Sequence, residues 1–99
     1  MVLAMHADPF VVYGEGGGFR DTLAAISQGA TDFGGLVLVI HGDGHIYTVD
    51  TPFRGPDGRI LENVTRLEVP GAVDVRAVRV LIDPEAASVF TFEPFGPGL

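Results

Sequence analysis

The chain has 99 residues and no cysteine, which suits one domain over 1–99 and excludes a disulfide-stapled scaffold or a thiolate site. Its 13 carboxylates outnumber six arginines and give a formal charge of −7, so repulsion from phosphate excludes general nucleic-acid binding. No apolar run is longer than the five residues of Leu36–Ile40, which is too short to span a bilayer, and the N-terminus has no signal-peptide pattern. We therefore expect a soluble protein with no membrane span, and the sequence does not predict its compartment.

Apolar residues are more abundant than a chain of this size can bury. Hydrophobic residues make up 46%, a further 14 residues are Gly, and the mean hydropathy is +0.33, whereas apolar residues and Gly together reach roughly 45–50% in ordinary globular chains. Small domains have a large surface for their volume, so part of this excess stays exposed. Because large exposed apolar patches mark contact sites, we expect a homo-oligomer or a subunit that docks on a protein partner.

The first residues predict two short strands and a flexible connection. Val2–Met5 and Phe10–Tyr13 have strand composition, and Asp8-Pro9 separates them. The glycine-rich run at 14–18 lacks both the spacing and the lysine of a phosphate-binding loop. It therefore predicts a hinge.

One short helix is predicted, over 22–28. Asp21 is placed to cap its first turn, and Gly29 is placed to end it. Leu23 and Ile26 are three residues apart and mark one apolar face. We expect this face to pack on a sheet.

The rest of the chain has the composition of strands. Leu36–Ile40 is apolar at every position, which favours a central strand covered on both faces. Gly42-Asp43-Gly44 is a turn signal, after which a strand over 46–49 returns antiparallel to the first. Further strands are predicted over 59–69, 73–82 and 88–93, followed by an extended C-terminal tail over 94–99. The predicted fold class is α+β, with one short helix packed on a mainly antiparallel sheet or a small β-sandwich.

The segment His41-Gly42-Asp43-Gly44-His45 combines imidazole and carboxylate groups, which suit a divalent transition metal. If the two glycines form a hairpin turn, His41 and His45 face each other across the first strand pair and Asp43 lies at the tip. The alternative is that Gly and Asp only shape the turn and the histidines flank it. We predict His41, Asp43 and His45 as candidate metal ligands and no other cofactor.

Apolar side chains cluster near the C-terminus. Phe90 and Phe92 share one face of the last predicted strand, and Phe95 and Leu99 lie in the tail, where two prolines and two glycines prevent regular structure. Such an arm either docks on a neighbouring subunit or folds back over its own sheet. We predict Phe90, Phe92, Phe95 and Leu99 as interface residues.

Four segments resemble the globular region of minor pseudopilins from type II secretion and type IV pilus systems. They are Arg20–Ala30, Leu36–Asp50, Leu67–Gly71 and Phe90–Gly96. The resemblance implies an assembly subunit, although those proteins carry an N-terminal apolar helix that anchors them in the membrane and that this sequence lacks.

No pairing of a nucleophile with a base stands out, which favours a non-enzymatic role. The leading hypothesis is a structural or assembly subunit that self-associates or docks on a protein partner, in a pilus-like or virus-particle setting. The alternative is a small metal- or ligand-binding domain that uses His41 and His45. A third hypothesis is a small oligomeric enzyme with its site at the subunit boundary.

Overall fold

One helix and six strands lie in the described residues, 1–10 and 19–97, of a computed structural model. The α+β class is confirmed, with one helix and antiparallel pairs in both of its sheets. The predicted hinge at 14–18, the strand residues after Phe10 and Leu99 of the predicted interface lie outside the described residues. The elements are β1 (Val2–Ala4), α1 (Arg20–Phe33), β2 (Val37–His41), β3 (Thr48–Asp50), β4 (Val64–Glu68), β5 (Ala77–Ile82) and β6 (Phe90–Phe95).

Four of the strands form one mixed sheet in the order β1-β2-β4-β3. β1 and β4 both pair parallel with β2, and β3 pairs antiparallel with β4. Parallel neighbours need a long crossover, which the segment containing α1 provides between β1 and β2. β2 is central, and its residues Val37, Leu38 and Val39 are fully buried. This confirms the prediction of a central strand covered on both faces.

The expected hairpin between 36–40 and 46–49 is wrong, because β4 lies between β2 and β3. Asp43 and His45 both have left-handed backbone angles, with φ of 74° and 67°. Residues 42–47 lie outside the strands and form an irregular connection in place of a hairpin turn, because β2 and β3 do not pair with each other. This connection carries the chain past β4, where β3 pairs with the edge that β2 leaves free.

α1 extends beyond the predicted 22–28 at both ends. Its N-terminal flanking residue is Phe19, and no side chain caps the first turn. Asp21 lies within that turn instead, where its negative charge still interacts favourably with the positive end of the helix dipole. Among the described residues, no helix is both long and apolar enough to cross a membrane.

The helix ends at Gly34, five residues after the predicted stop at Gly29. Gly34 has a φ of 74°, and its N–H donates to the carbonyl of Ala30 over 3.1 Å. A glycine accepts this left-handed conformation without steric cost, so the stop signal acts here. Gly29 is tolerated inside the helix, since its penalty is only about 1 kcal/mol.

α1 covers one face of the four-stranded sheet and closes the hydrophobic core. Ala30 on the helix packs with buried residues from the strands and from the 51–63 connection. Leu23 and Ile26, the predicted apolar face, pack against this cluster. Its buried members are Ala30, Val37, Val39, Phe53 and Val64.

Asn63 joins the end of the helix to the start of β4. Its side-chain amide donates to the carbonyl of Gly35 over 2.8 Å and to that of Ala30 over 3.4 Å. The carbonyl of Ala30 also accepts from the N–H of Gly34, whereas Gly35 follows the helix C-terminus, where no further turn is present to supply donors. The side chain of Asn63 therefore completes the helix end.

Replacing Asn63→Ala is expected to lower the free energy of unfolding by about 1–3 kcal/mol, because the partly buried carbonyl of Gly35 loses its side-chain donor. Urea denaturation followed by circular dichroism measures the change. Glu62→Ala, at the exposed neighbouring position, is the control and should change stability by less than about 0.5 kcal/mol. Equal stability of the two variants would contradict this account of the helix end.

β5 and β6 form a separate two-stranded antiparallel sheet, here called the C-terminal hairpin. Pro94 and Phe95 pair with Val78 and Ala77, so the strand continues into residues predicted as tail. Proline is tolerated here because the hairpin edge leaves the strand without a second hydrogen-bonded neighbour among the described residues. The predicted strand over 73–82 begins only at Ala77, since 73–76 is irregular.

An ion pair precedes the hairpin. The guanidinium of Arg76 donates two hydrogen bonds, of 2.7 and 2.6 Å, to the carboxylate of Asp74. The bonded guanidinium holds the pKa of Asp74 below its usual value. The pair thus orders the segment that leads into β5.

A lowered folded-state pKa means that Asp74 stabilises the fold at pH values above its unfolded pKa. This contribution disappears as the pH falls through the lower, folded-state pKa. An NMR titration of side-chain carboxyl carbons is expected to find Asp74 titrating below the ordinary aspartate range. The variant Arg76→Gln should return the pKa of Asp74 to that range, whereas Arg79→Gln should leave it below. An ordinary pKa for Asp74 in the unmodified protein would refute the pairing.

Candidate functional site

A group of polar side chains lies at the carboxyl ends of the parallel strands. β2 ends at His41 and β4 ends at Glu68, and these two residues are partners in the strand register. The chain after β1 brings Asp8 to the same edge. These three are the buried polar or charged residues of the described part of the chain, at 8% exposure or less. In open sheets with parallel strands this edge is where ligands bind.

Arg66 is the cation of this group. It donates two hydrogen bonds of 2.6 Å to Asp50, its cross-strand partner on β3. Its remaining terminal nitrogen, Nη1, lies 3.1 Å from Nε2 of His41, and its guanidinium stacks 4.8 Å from the ring centre of Phe10. The hydrogen bonds to Asp50 raise the pKa of Arg66. Arg66 therefore stays charged and connects three segments of the fold.

The partners of His41 determine which ring nitrogen carries the proton. Nδ1 lies 2.9 Å from the carbonyl oxygen of Gly42, which can only accept. Nδ1 therefore carries the hydrogen, and in the neutral ring Nε2 accepts from Arg66. The lone pair of a fully buried imidazole consequently points into the charged group.

The two buried carboxylates are held by backbone N–H groups. Asp8 accepts from the N–H of Phe10 over 2.9 Å, and Glu68 accepts from the N–H of Ile46 over 3.1 Å. A Cβ atom at Gly44 would overlap Glu68 Oε2 and approach Asp8 Oδ2 to 3.1 Å. Position 44 therefore requires glycine, and the 42–46 connection closes over both carboxylates.

Together these residues form what we call the strand-end cluster: Asp8, His41, Asp50, Arg66 and Glu68. Three carboxylates face one guanidinium, so with a neutral His41 its formal charge is −2. The side chain of Arg66 is only 11% exposed.

The structure brings one of the three predicted metal ligands, His41, into this cluster. The exposed carboxylate of Asp43 lies 3.9 Å from His6 instead. His45 is exposed, and its ring lies against Gly71. The hairpin that would have placed His45 opposite His41 does not form.

Donor atoms of Asp8, His41 and Glu68 lie within 4.8 Å of one another. Asp8 and Glu68 were not among the predicted ligands, because Asp8-Pro9 indicated only a break between two strands and no metal-ligand motif includes Glu68. Glu68 comes directly before the Val69-Pro70-Gly71 segment that ends its strand. That position at a strand end was the available signal.

The three predicted interface residues within the described part of the chain lie on both faces of the C-terminal hairpin. Phe90 and Phe92 are half-buried and share one face, whereas Phe95 is exposed on the other. The guanidinium of Arg79 stacks 5.2 Å from the ring centre of Phe95. Phe90 and Phe92 can therefore belong to one contact surface that Phe95 does not share.

No family model, curated protein or solved structure matches the chain. The resemblance to minor pseudopilins stays a prediction. The geometry of the strand-end cluster and of the C-terminal hairpin is therefore what indicates the function.

Replacing Arg66→Met is expected to lower the free energy of unfolding by about 3 kcal/mol, because Asp8 and Glu68 lose the cation that offsets their burial. Urea denaturation gives the value. Arg20→Met, at an exposed position on α1, should change stability by less than about 0.5 kcal/mol. A fully stable Arg66→Met protein would show that the cluster does not depend on this charge.

Proposed function

We propose that this protein is a non-enzymatic structural or assembly subunit that self-associates through its C-terminal hairpin. One observation carries the proposal. The face of the hairpin that holds Phe90 and Phe92 consists of three apolar cross-strand pairs, and none of the six residues is buried. The pairs are Val78–Pro94, Val80–Phe92 and Ile82–Phe90.

A two-stranded hairpin with one apolar face is not expected to be stable without further packing. Two-stranded sheets are marginally stable in water and need a third strand or a packing surface. Within the described residues β5 and β6 pair only with each other. A contact on the apolar face would supply the packing that the hairpin lacks.

The apolar surface continues from the hairpin onto the main sheet. A groove of about 400 Å³ separates the Ile82–Phe90 end of the hairpin from β1 and the end of α1. Five large side chains that line it are each between 45% and 52% exposed: Met1, Val2, Phe33, Leu36 and Ile82. We call the three cross-strand pairs together with these groove residues the apolar contact surface.

The area of a typical protein interface indicates that both the hairpin face and the groove residues take part in the contact. Each strand of the hairpin has six residues, which at roughly 3.3 Å per residue span roughly 20 Å. Two such strands about 4.8 Å apart make a face roughly 10 Å wide. A standard interface buries about 800 Å² on each partner. The hairpin face alone is too small, so the groove residues belong to the proposed contact.

A second copy of the chain is the partner we propose. No side chain of the contact surface is charged, and the N-terminal ammonium of Met1 already donates to the carbonyl of Leu36 over 3.0 Å, so two copies can match without pairing of charged side chains. The charges on the other face, Arg79 and Glu93, already pair with each other over 3.4 Å. Two apolar sheet faces can then pack about 10 Å apart around a two-fold axis. A multi-copy setting, pilus-like or virus-particle, is the context we propose.

Ile82→Glu is expected to weaken self-association at least tenfold, because it places a charge in the apolar contact while the monomer already exposes 52% of Ile82. Sedimentation equilibrium across a concentration series measures the effect. Leu81→Glu is the matched control, since Leu81 is 45% exposed on the opposite face of the same strand. Circular dichroism confirms that both variants fold.

Two results would reject the proposal. One is an unmodified protein that remains monomeric at roughly 50 µM, a concentration at which a dimer of about 1 µM dissociation constant would predominate. The other is an equal loss of association in Ile82→Glu and Leu81→Glu.

A further inference from the structure

The donor atoms of Asp8, His41 and Glu68 converge from three segments that are remote in the sequence. They come within 4.8 Å of one another, and Asp8 Oδ1 lies 4.0 Å from His41 Nε2. A transition metal bound about 2.1 Å from each donor needs separations somewhat shorter than these. Rotation of the Asp8 and Glu68 side chains toward His41 would close that gap. We propose that these three residues bind one divalent transition-metal ion, which takes the place of Arg66 Nη1 at Nε2 of His41.

The orientation of His41 favours this role. Its Nδ1–H donates to the carbonyl of Gly42, which fixes the ring and leaves Nε2 as the acceptor, 3.1 Å from Arg66 Nη1 and 4.0 Å from Asp8 Oδ1. A hydrogen bond from the second ring nitrogen to a carbonyl is the usual support of a metal-bound histidine. Since the ring is fully buried, few orientations other than this one are open to it.

The charge of the site also favours a cation. The carboxylates of Asp8 and Glu68 are buried, and Asp50 already takes up two of the donor nitrogens of Arg66. The strand-end cluster keeps a formal charge of −2, and buried charge without compensation is costly. One divalent ion would neutralise it.

Arg66 can make room without leaving the cluster. Its Nε and Nη2 bind Asp50, and only Nη1 reaches His41. Because the guanidinium is planar, Nη1 leaves the imidazole only if the whole group tilts about its two hydrogen bonds to Asp50, and the proposal requires that tilt. Metal and Nη1 therefore compete for the same lone pair, so Arg66 acts as an internal competitor that sets the affinity.

The donor set indicates the class of metal. One imidazole nitrogen with two carboxylate oxygens suits zinc, manganese, iron or cobalt rather than calcium or magnesium, which prefer oxygen alone. Three protein donors leave a coordination position for water or another ligand.

The test uses the full chain, stripped with a chelator and titrated with Zn²⁺ by calorimetry and with Co²⁺ by visible absorption. The expected result is one ion per chain, a cobalt spectrum with nitrogen coordination, and a higher melting temperature that depends on metal concentration. Asp8→Asn and Glu68→Gln keep an acceptor for the N–H groups of Phe10 and Ile46. They should weaken binding by more than about 100-fold.

Asp43→Asn and His45→Gln are the matched controls, since these residues lie in the same connection but outside the donor group. They should leave affinity unchanged, whereas Arg66→Gln, if folded by circular dichroism, should bind zinc more tightly. The proposal fails if no saturable one-to-one binding occurs. It also fails if the two control variants lose binding while Asp8→Asn and Glu68→Gln retain it. Sedimentation in the presence of chelator reports on self-association separately, so failure of one proposal is distinguishable from failure of the other.

Discussion

The position of Arg66 between negatively charged groups is the constraint on which much of the structure depends. The side chain starts on β4, binds Asp50 on β3 and reaches His41 at the end of β2, while Phe10 covers its guanidinium. One cation therefore ties together two neighbouring strands and the chain that follows β1. Without it, Asp8 and Glu68 would repel each other in a partly dry environment.

This constraint divides the molecule into two regions with different chemistry. The strand-end cluster concentrates charge and hydrogen bonds under the 42–46 connection. The C-terminal hairpin is apolar on one face, and its flanking charges pair among themselves as Asp74–Arg76 and Arg79–Glu93. A metal at the first region and a second copy at the second would use surfaces that share no residue. The two proposals are therefore physically independent.

Parts of both regions could be predicted from local patterns. The uninterrupted apolar residues of Leu36–Ile40 indicated a buried central strand, since a strand covered on both faces has no solvent-facing position for a polar side chain. The period of two placed Phe90 and Phe92 on one face. His41 was predicted as a ligand because the segment 41–45 combines imidazole and carboxylate groups, which suit a divalent transition metal. The neighbours His45 and Asp43 were grouped with it through a hairpin that does not form.

The sequence by itself determined the α+β class, the central strand, the apolar face of the helix and the excess of exposed apolar side chains, because composition and periodicity act over a few residues. The tertiary structure alone decided that β4 separates β2 from β3, and that Asp8, His41, Arg66 and Glu68 meet. Every strand of a sheet can pair with several strand edges, so strand order depends on the whole chain and no local pattern predicts it. Glu68 lies beside His41 only because β4 pairs with β2. The turn signal at Gly42–Gly44 had predicted β3 in that position.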